Sequence, residues 1–395
     1  MDYCSKYTNY FGVVILVFGI FISCTNPKIS DQNCPSGMIP CSDDSSDCCA
    51  VICEPGYHLC GNNLTDCCLD TTSHDLTWNF NEFGVYPSEL WDVDVLSDGK
   101  IIAVGEITKV DSDSSWNGTG YEEYSAIIGD NGGWTLKKYT IGKWHVLKPK
   151  GVFAFTQNNV WLANGSLYRF YEDSVHTIWQ RDINSPEVAE QVWGTSDDNI
   201  YAVGSHGLIV HFNGIVSTTI ESGLNIHFRC ISGSSDGANV FVVGYDDSGE
   251  SCVLEIVSGN SAVLYQGQTP FSEPYGTVCA TSTNEDIVYF VSSAGLWEYN
   301  YIDKTSLFIS AYENKTINLV PRHIFVRNPD DIFIGCLNGE ICHFNGVSWA
   351  IDNSISNRFN SVWLKGFNGQ NDQIVSVGYC NFGVESFIGY GFRIK

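Results

Sequence analysis

Positive charge is scarce in this chain. Lys and Arg total 20 against 45 Asp and Glu in 395 residues, a formal charge of −25. A field of that sign repels phosphate backbones and anionic lipid headgroups, which excludes nucleic acid and a charged membrane surface as partners. Charged residues of both signs make up only 16 % of the sequence. Enzyme signatures are missing too. There is no G-x-S-x-G nucleophile elbow and no H-E-x-x-H zinc helix, and the nine His residues are dispersed. Nor does any apolar run reach the ~20 residues of a membrane span. What is abundant is glycine, at 38 residues, and aromatics, at 13 %. Few charges with many Gly and aromatic residues indicate many short strands joined by tight turns.

The longest apolar run, residues 11–23 (FGVVILVFGIFIS), has the length of a signal-peptide core. It ends at Ser23-Cys24, which resembles the bacterial lipobox, although Phe21 stands where Leu is usual and Lys6 is the only base ahead of the run. That resemblance implies export and lipidation at Cys24, with residues 1–23 removed. The expected location is therefore the bacterial cell envelope, with the lipid as the only membrane attachment.

Eight of the sixteen cysteines lie between 34 and 68, in two copies of C-x6-C-x6-C-C: Cys34, Cys41, Cys48, Cys49, then Cys53, Cys60, Cys67, Cys68. The copies also share the Gly three residues after the first Cys and the Asp before the pair. In an exported segment too short to build its own core, eight cysteines point to four disulfides rather than a metal centre, although 105 pairings are open. Residues 24–75 carry eight acidic residues against Lys28 alone, so this module reads as an acidic stapled tether.

From residue 88 onward one unit recurs, clearest in Val192-WGTSDDNIYAVGSHGLIVHFNG-Ile215. Its second strand begins at Ile101, Val160, Ile200, Val240, Val288, Ile332 and Ile374, mostly 40–48 residues apart, close to the four-strand period of a propeller blade. Asn-Gly pairs at 213–214 and 345–346 predict two-residue hairpins between third and fourth strands, and Asp or Asn before each second strand predicts Asx turns. The last unit supplies three strands, Phe359–Leu364, Gln373–Gly378 and Glu385–Ile394. Leu76–Phe80 has the character to supply its fourth. The expectation is all-β: residues 76–395 form a seven-bladed β-propeller closed by an N-terminal strand, which protects the sheet edges. These units resemble the propeller repeats of bacterial secreted and surface lipoproteins, W-G-T-S-x-x-[DN]-[VI]-Y-A-V-G-x-x-G-x-[IL]-x-H-[FY]-[ND]-G, with looser similarity to photosystem-assembly-factor and sialidase-type propellers. The resemblance implies fold and compartment, not a reaction.

Propeller sites gather where the first strands converge on the channel mouth. Aligning the units places Asp92, Gly151, Gln191, Arg229, Thr277, His323 and Ser361 there, with Arg322 and Arg358 beside them. Arg229, Arg322, His323 and Arg358 form a local basic group suited to a carboxylate, since Arg offers it a bidentate fork. A second candidate is the insertion at 106–124, whose Trp116, Tyr121 and Tyr124 are suitable anchors for a glycan or protein. Asp111 and Asp113 in it allow a calcium ligand; no other cofactor or metal is implied. Cys336 and Cys342 flank Asn338-Gly339, and a two-residue turn there sends them to opposite faces, unbonded. The leading expectation is a non-enzymatic propeller that binds a protein or glycan partner. The alternatives are a glycan-active enzyme with its site at the channel mouth, and a structural component of an envelope assembly. Oligomeric state is not readable.

Overall fold

The computed structural model describes residues 73–110, 120–130, 132–268, 278–281, 286–292, 295–310, 321–346, 348–359, 361–380 and 385–393, together with four short strands between 38 and 69. Residues 1–37, with the signal sequence and Cys24, lie outside the described residues, as does Trp116.

The four short strands make two hairpins, Met38–Pro40 with Cys48–Ala50 and Tyr57–Leu59 with Cys67–Leu69. Met38 faces Ala50 and Pro40 faces Cys48; Tyr57 faces Leu69 and Leu59 faces Cys67. The second register is the first displaced by 19 residues, so the duplication seen in the cysteine spacing is also a duplication of backbone structure. The disulfides expected there concern side chains outside the described ones.

The remainder is a seven-bladed β-propeller of four-stranded antiparallel sheets, six of them in sequence order and the seventh completed by a strand from the N-terminal side. The inner strands are Val85–Val95, Gly151–Thr156, Ala189–Ser196, His227–Gly233, Val278–Thr281, Pro321–Asn328 and Trp363–Gln370. The second strands start within one residue of the positions read from the repeat, for example Ile101 and Asn199. They are continuous apolar runs because both faces are covered. In the first blade Ile101 and Ala103 face blade 7, while Ile102 and Val104 face blade 2. Seven apolar clusters fill the seven spaces between neighbouring blades. Seven blades with seven filled spaces leave no open edge in the ring.

Closure is by the N-terminal strand. Leu76–Phe83 pairs along the whole of Glu385–Arg393, from Leu76 opposite Arg393 to Phe83 opposite Ser386. Trp78 in it donates from Nε1 to Asp352 Oδ2 at 2.8 Å, tying the strand to blade 6. Blade 7 is in turn joined to blade 1 by Asn368, whose Nδ2 donates to Asp94 Oδ1 at 2.9 Å.

Three local expectations need correction. The Asn213-Gly214 turn is four residues long, not two. Phe212 pairs with Ser217, and Asn213 Oδ1 accepts from the N–H groups of Ile215 and Val216. Asp98 and Asp236 do cap their turns, but Asp331 does not. It is fully buried and accepts from His343 Nε2 at 2.9 Å while pairing with Arg327 at 2.6 Å. His343 stacks on Phe333 just as His211, bonded to Asn199, stacks on Tyr201, so these two histidines are matched structural parts of blades 6 and 3. Third, Cys336 hydrogen-bonds Glu340 across a three-residue loop. The extra residue reverses the parity, and Cys336 and Cys342 share a face with their Sγ atoms 3.9 Å apart.

Candidate functional site

In five blades the inner strand carries a β-bulge near its start, and the bulged residue is the one that reaches the channel mouth. The ladder slips between Leu90 and Asp92, Ala189 and Gln191, Phe228 and Cys230, Pro321 and His323, and Leu364 and Gly366. The residues skipped are Trp91, Glu190, Arg229, Arg322 and Lys365. A bulge leaves one residue unpaired and re-aims its side chain. Repeated around a ring, it converges five side chains on one place. Lys150, immediately before the inner strand of blade 2, joins them.

These six side chains, with Glu89, Gln191, Tyr245, His323, Leu337, Trp363 and Leu364, line a depression of about 500 Å³. Four cations meet two carboxylates in it. Glu190 is held between Lys150 at 2.7 Å and Arg229 at 2.5 Å. Trp91 Nε1 donates to Glu89 Oε2 at 2.8 Å, and Lys150 lies over the Trp91 ring, 5.5 Å from its centre. Arg229 lies over Tyr245 at 5.6 Å. Lys365 lies against two rings that stack on each other, 5.7 Å from the centre of Trp363 and 5.5 Å from that of Tyr379. Cations against ring faces gain ~0.5–2 kcal/mol and are thereby held in position.

Burial depresses the Lys365 ammonium below the ordinary lysine range; the Arg322 charge adds to this and Glu89 opposes it. His323 is pushed down to about 4, first by burial and then by the Arg322 and Lys365 charges, against a hydrogen bond to the Lys365 backbone that acts the other way. It is neutral at pH 7. The mouth is thus a place where positive charge is already crowded and costly, and where a bound anion relieves that cost.

Of the residues read from sequence, Arg229, Arg322, His323 and Gln191 line the depression. Asp92, Gly151, Arg358 and Ser361 are not among its lining residues, nor are Tyr121 and Tyr124 of the insertion. Asp92 sits one residue past the bulge and turns into the body of the blade. Its Oδ1 accepts from Val93 N at 2.9 Å and its Oδ2 from Val152 N at 3.0 Å, so it fastens blade 1 to blade 2. Arg358 ends the short helix Ser354–Arg358 and pairs with Glu82 at 3.2 Å, beside the outer strand of blade 7. Tyr124 donates to Glu122 Oε2 at 2.6 Å, lies under Lys138 and packs on the blade 1 core, so it is a fixed structural residue. Ser361 precedes the last inner strand, and Lys365 takes the mouth position in blade 7. Thr277 lies outside the described residues. Tyr121 is 47 % exposed at the tip of the blade 1 hairpin. Tyr86, Trp144 and Trp363 are also exposed, and of these Trp363 lines the depression.

Lys150, Glu89, Glu190, Trp91 and Lys365 escape a period-two reading. A signal was present. Leu90 and Val93, Ala189 and Val192, Phe228 and Ile231, Leu364 and Phe367 are buried pairs three residues apart. An odd spacing between two inward residues is the mark of a bulge.

No family model and no curated protein matches the chain. Solved β-propellers do. A structure described as YCF48 bound to D1 peptide superposes with a TM-score of 0.57 at 11 % identity, covering 80 % of this chain and 97 % of that one. YCF48 from Cyanidioschyzon merolae gives 0.55 at 12 %, covering 80 % and 98 %. The Cps50 (Swd1) propeller domain of Myceliophteria thermophila gives 0.55 at 9 %, covering 80 % and 100 %. Identities this low carry the fold alone. Among the described residues, no group of three or more His, Cys, Asp or Glu is placed to hold a metal ion. Asp111 and Asp113, the calcium candidates, lie outside them.

Proposed function

We propose that this chain is an exported binding protein, anchored at the bacterial envelope through a lipid on Cys24, that captures a protein partner by an acidic segment seated in the channel mouth. The carrying observation is the charge of the depression. In a molecule with a net charge of −25, Lys150, Arg229, Arg322 and Lys365 converge on about 500 Å³. A carboxylate placed between Arg322 and Lys365 meets a guanidinium fork and an ammonium already short of water, the setting in which charge-assisted hydrogen bonds are strongest. Trp91, Tyr245 and the exposed Trp363 in the wall of the depression supply the apolar contact that a peptide main chain needs. Support from the comparisons is of one kind: a protein of the same fold has been solved with a peptide bound. The duplicated cysteine hairpins, which we take to be disulfide-stapled, space the propeller from the lipid.

Anisotropy of a fluorescein-labelled oligo-glutamate peptide tests the mouth. Each charge-assisted bond contributes about 1.5–3 kcal/mol, so Arg322→Ala with Lys365→Ala is expected to weaken binding ~100-fold or more. Binding left intact in the double variant overturns the reading. So does capture of neutral glycans on an array by the wild type and the variant alike, and so does glycan hydrolysis lost with those two residues. Labelled palmitate incorporated into the wild type but not into Cys24→Ala tests the anchor.

A further inference from the structure

The second inference concerns the hairpin of blade 6, formed by Asp331–Cys336 and Ile341–Phe344. Its register pairs Ile334 with Cys342, and Cys336 N donates to Glu340 O at 2.9 Å. Ile334, Cys336 and Cys342 therefore lie on one face of the sheet, and all three belong to the apolar cluster between blades 5 and 6. The two Sγ atoms are 3.9 Å apart, and both residues are excluded from solvent, at 0 % and 1 % exposure. The two cysteines are diagonal neighbours across the hairpin, Cys336 opposite Glu340 and Cys342 opposite Ile334, and a bond needs their Sγ atoms to close from 3.9 Å to about 2.05 Å. Neither thiol serves the channel mouth directly.

We propose that Cys336 and Cys342 are a disulfide-forming pair, closed by exchange with a disulfide oxidant of the glutathione class. The step balances. One cysteine thiolate attacks the oxidant's S–S bond and displaces a thiol, leaving a mixed disulfide; the other cysteine attacks that and displaces the second thiol. Two S–H hydrogens leave, one S–S bond forms within the hairpin, and the oxidant departs as two thiols. The hydrogen bond to Cys342, and then burial, raise the Cys336 thiol well above its ordinary value and hold it protonated, and only the thiolate attacks. The bond therefore closes while the hairpin is open, during folding, and is then sealed from reductant by blades 5 and 6. Leu337, next to Cys336, lines the channel mouth, and its carbonyl accepts from Leu364 N at 2.8 Å. Closure fixes the turn that forms this part of the wall.

The full-length chain provides the test. Reduced, unfolded protein is refolded in a buffer of reduced and oxidised glutathione, alkylated without reduction, and digested with a glutamate-specific protease. Glu340 lies between the two cysteines, and added trypsin, cutting after Arg358 and Lys365, separates Cys342 from Cys380, so fragments cut at both kinds of site stay together only through the proposed bond. Recovery of the joined fragments, separating on reduction, is the expected result. Recovery of both residues alkylated, of stable glutathione adducts, or of either cysteine joined to Cys230, Cys252 or Cys380 overturns the proposal. A second reading is the urea midpoint of oxidised against reduced protein. It rises on oxidation in the wild type and loses that rise in Cys342→Ala. A fall on oxidation means that the fold does not accommodate the bond, and the proposal fails.

Discussion

Asp92 and Asp94 allow a quantitative test of how the ring is held. Both lie on the innermost strand of blade 1, and both reach across to blade 2: Asp92 Oδ2 accepts from Val152 N, and Asp94 Oδ2 from Ala154 N at 2.7 Å. Burial raises the Asp92 carboxyl to about 7 and the Asp94 carboxyl to about 6, against the hydrogen bonds that pull the other way. In the unfolded chain both return to ~3.9. The folded state then binds protons more tightly, and folding takes them up between pH ~4 and ~7. Stability contributed by these groups is fully present below the unfolded value and is lost as the pH rises through the folded values. At 1.36 kcal/mol per unit, the pair contributes up to about 4 kcal/mol between pH 8 and pH 5. Asp92→Asn removes the proton uptake and one of two acceptors, at a cost of about 1–3 kcal/mol. Urea titrations of the wild type and this variant at pH 5, 6, 7 and 8 separate the two effects, because the relief of general negative charge on acidification is nearly common to both proteins. The deficit of the variant is expected to be largest at pH 5 and to shrink by roughly 2–3 kcal/mol by pH 8. A deficit that stays constant across this range, or grows with pH, refutes the buried-carboxyl account of the blade 1–2 junction.

Three further outcomes follow from the geometry. Removing residues 1–83 takes away the closing strand, whereas removing 1–72 leaves it. The shorter deletion is expected to keep a cooperative thermal transition and the longer to lose it, as read by circular dichroism. Gly204→Ala places a methyl carbon 1.8 Å from the Val188 carbonyl oxygen, a backbone atom that cannot step aside. A loss of at least ~2–3 kcal/mol in urea unfolding is expected, and a loss below 1 kcal/mol would contradict the close approach of this strand to its neighbour. Glu89 opposes the depression of the Lys365 ammonium, so Glu89→Gln is expected to lower that value further. The rate of Lys365 acylation at pH 8, followed by peptide mass spectrometry, should then rise relative to the other lysines, and an unchanged rate denies Glu89 that role.

The fold was legible because it is repetitive. Each second strand is apolar on both faces, so its period survives large variation in the loops, and Leu76 onward could be matched to a missing strand by counting alone. The mouth was legible only in part, for a reason visible at single residues. Arg322 and His323 differ by one position in the chain, and aligning the units puts His323 in the ring with Arg322 beside it. The bulge between Pro321 and His323 brings Arg322 to the mouth beside His323. The bulged residues of blades 1 and 3, Trp91 and Glu190, were missed in favour of their neighbours Asp92, which leaves the mouth, and Gln191, which shares it. At blade 7 the error was four residues: the repeat places the inner strand over Phe359–Leu364, and it runs over Trp363–Gln370. Arg229 was placed correctly because it is itself the bulged residue. A bulge costs a ladder hydrogen bond in each blade where it occurs, and here it occurs in at least five. That cost brings five long side chains to one opening, and a ring needing only to be stable has no use for it. The repeated bulge is thus the strongest physical ground for reading the channel mouth as the working face of this propeller.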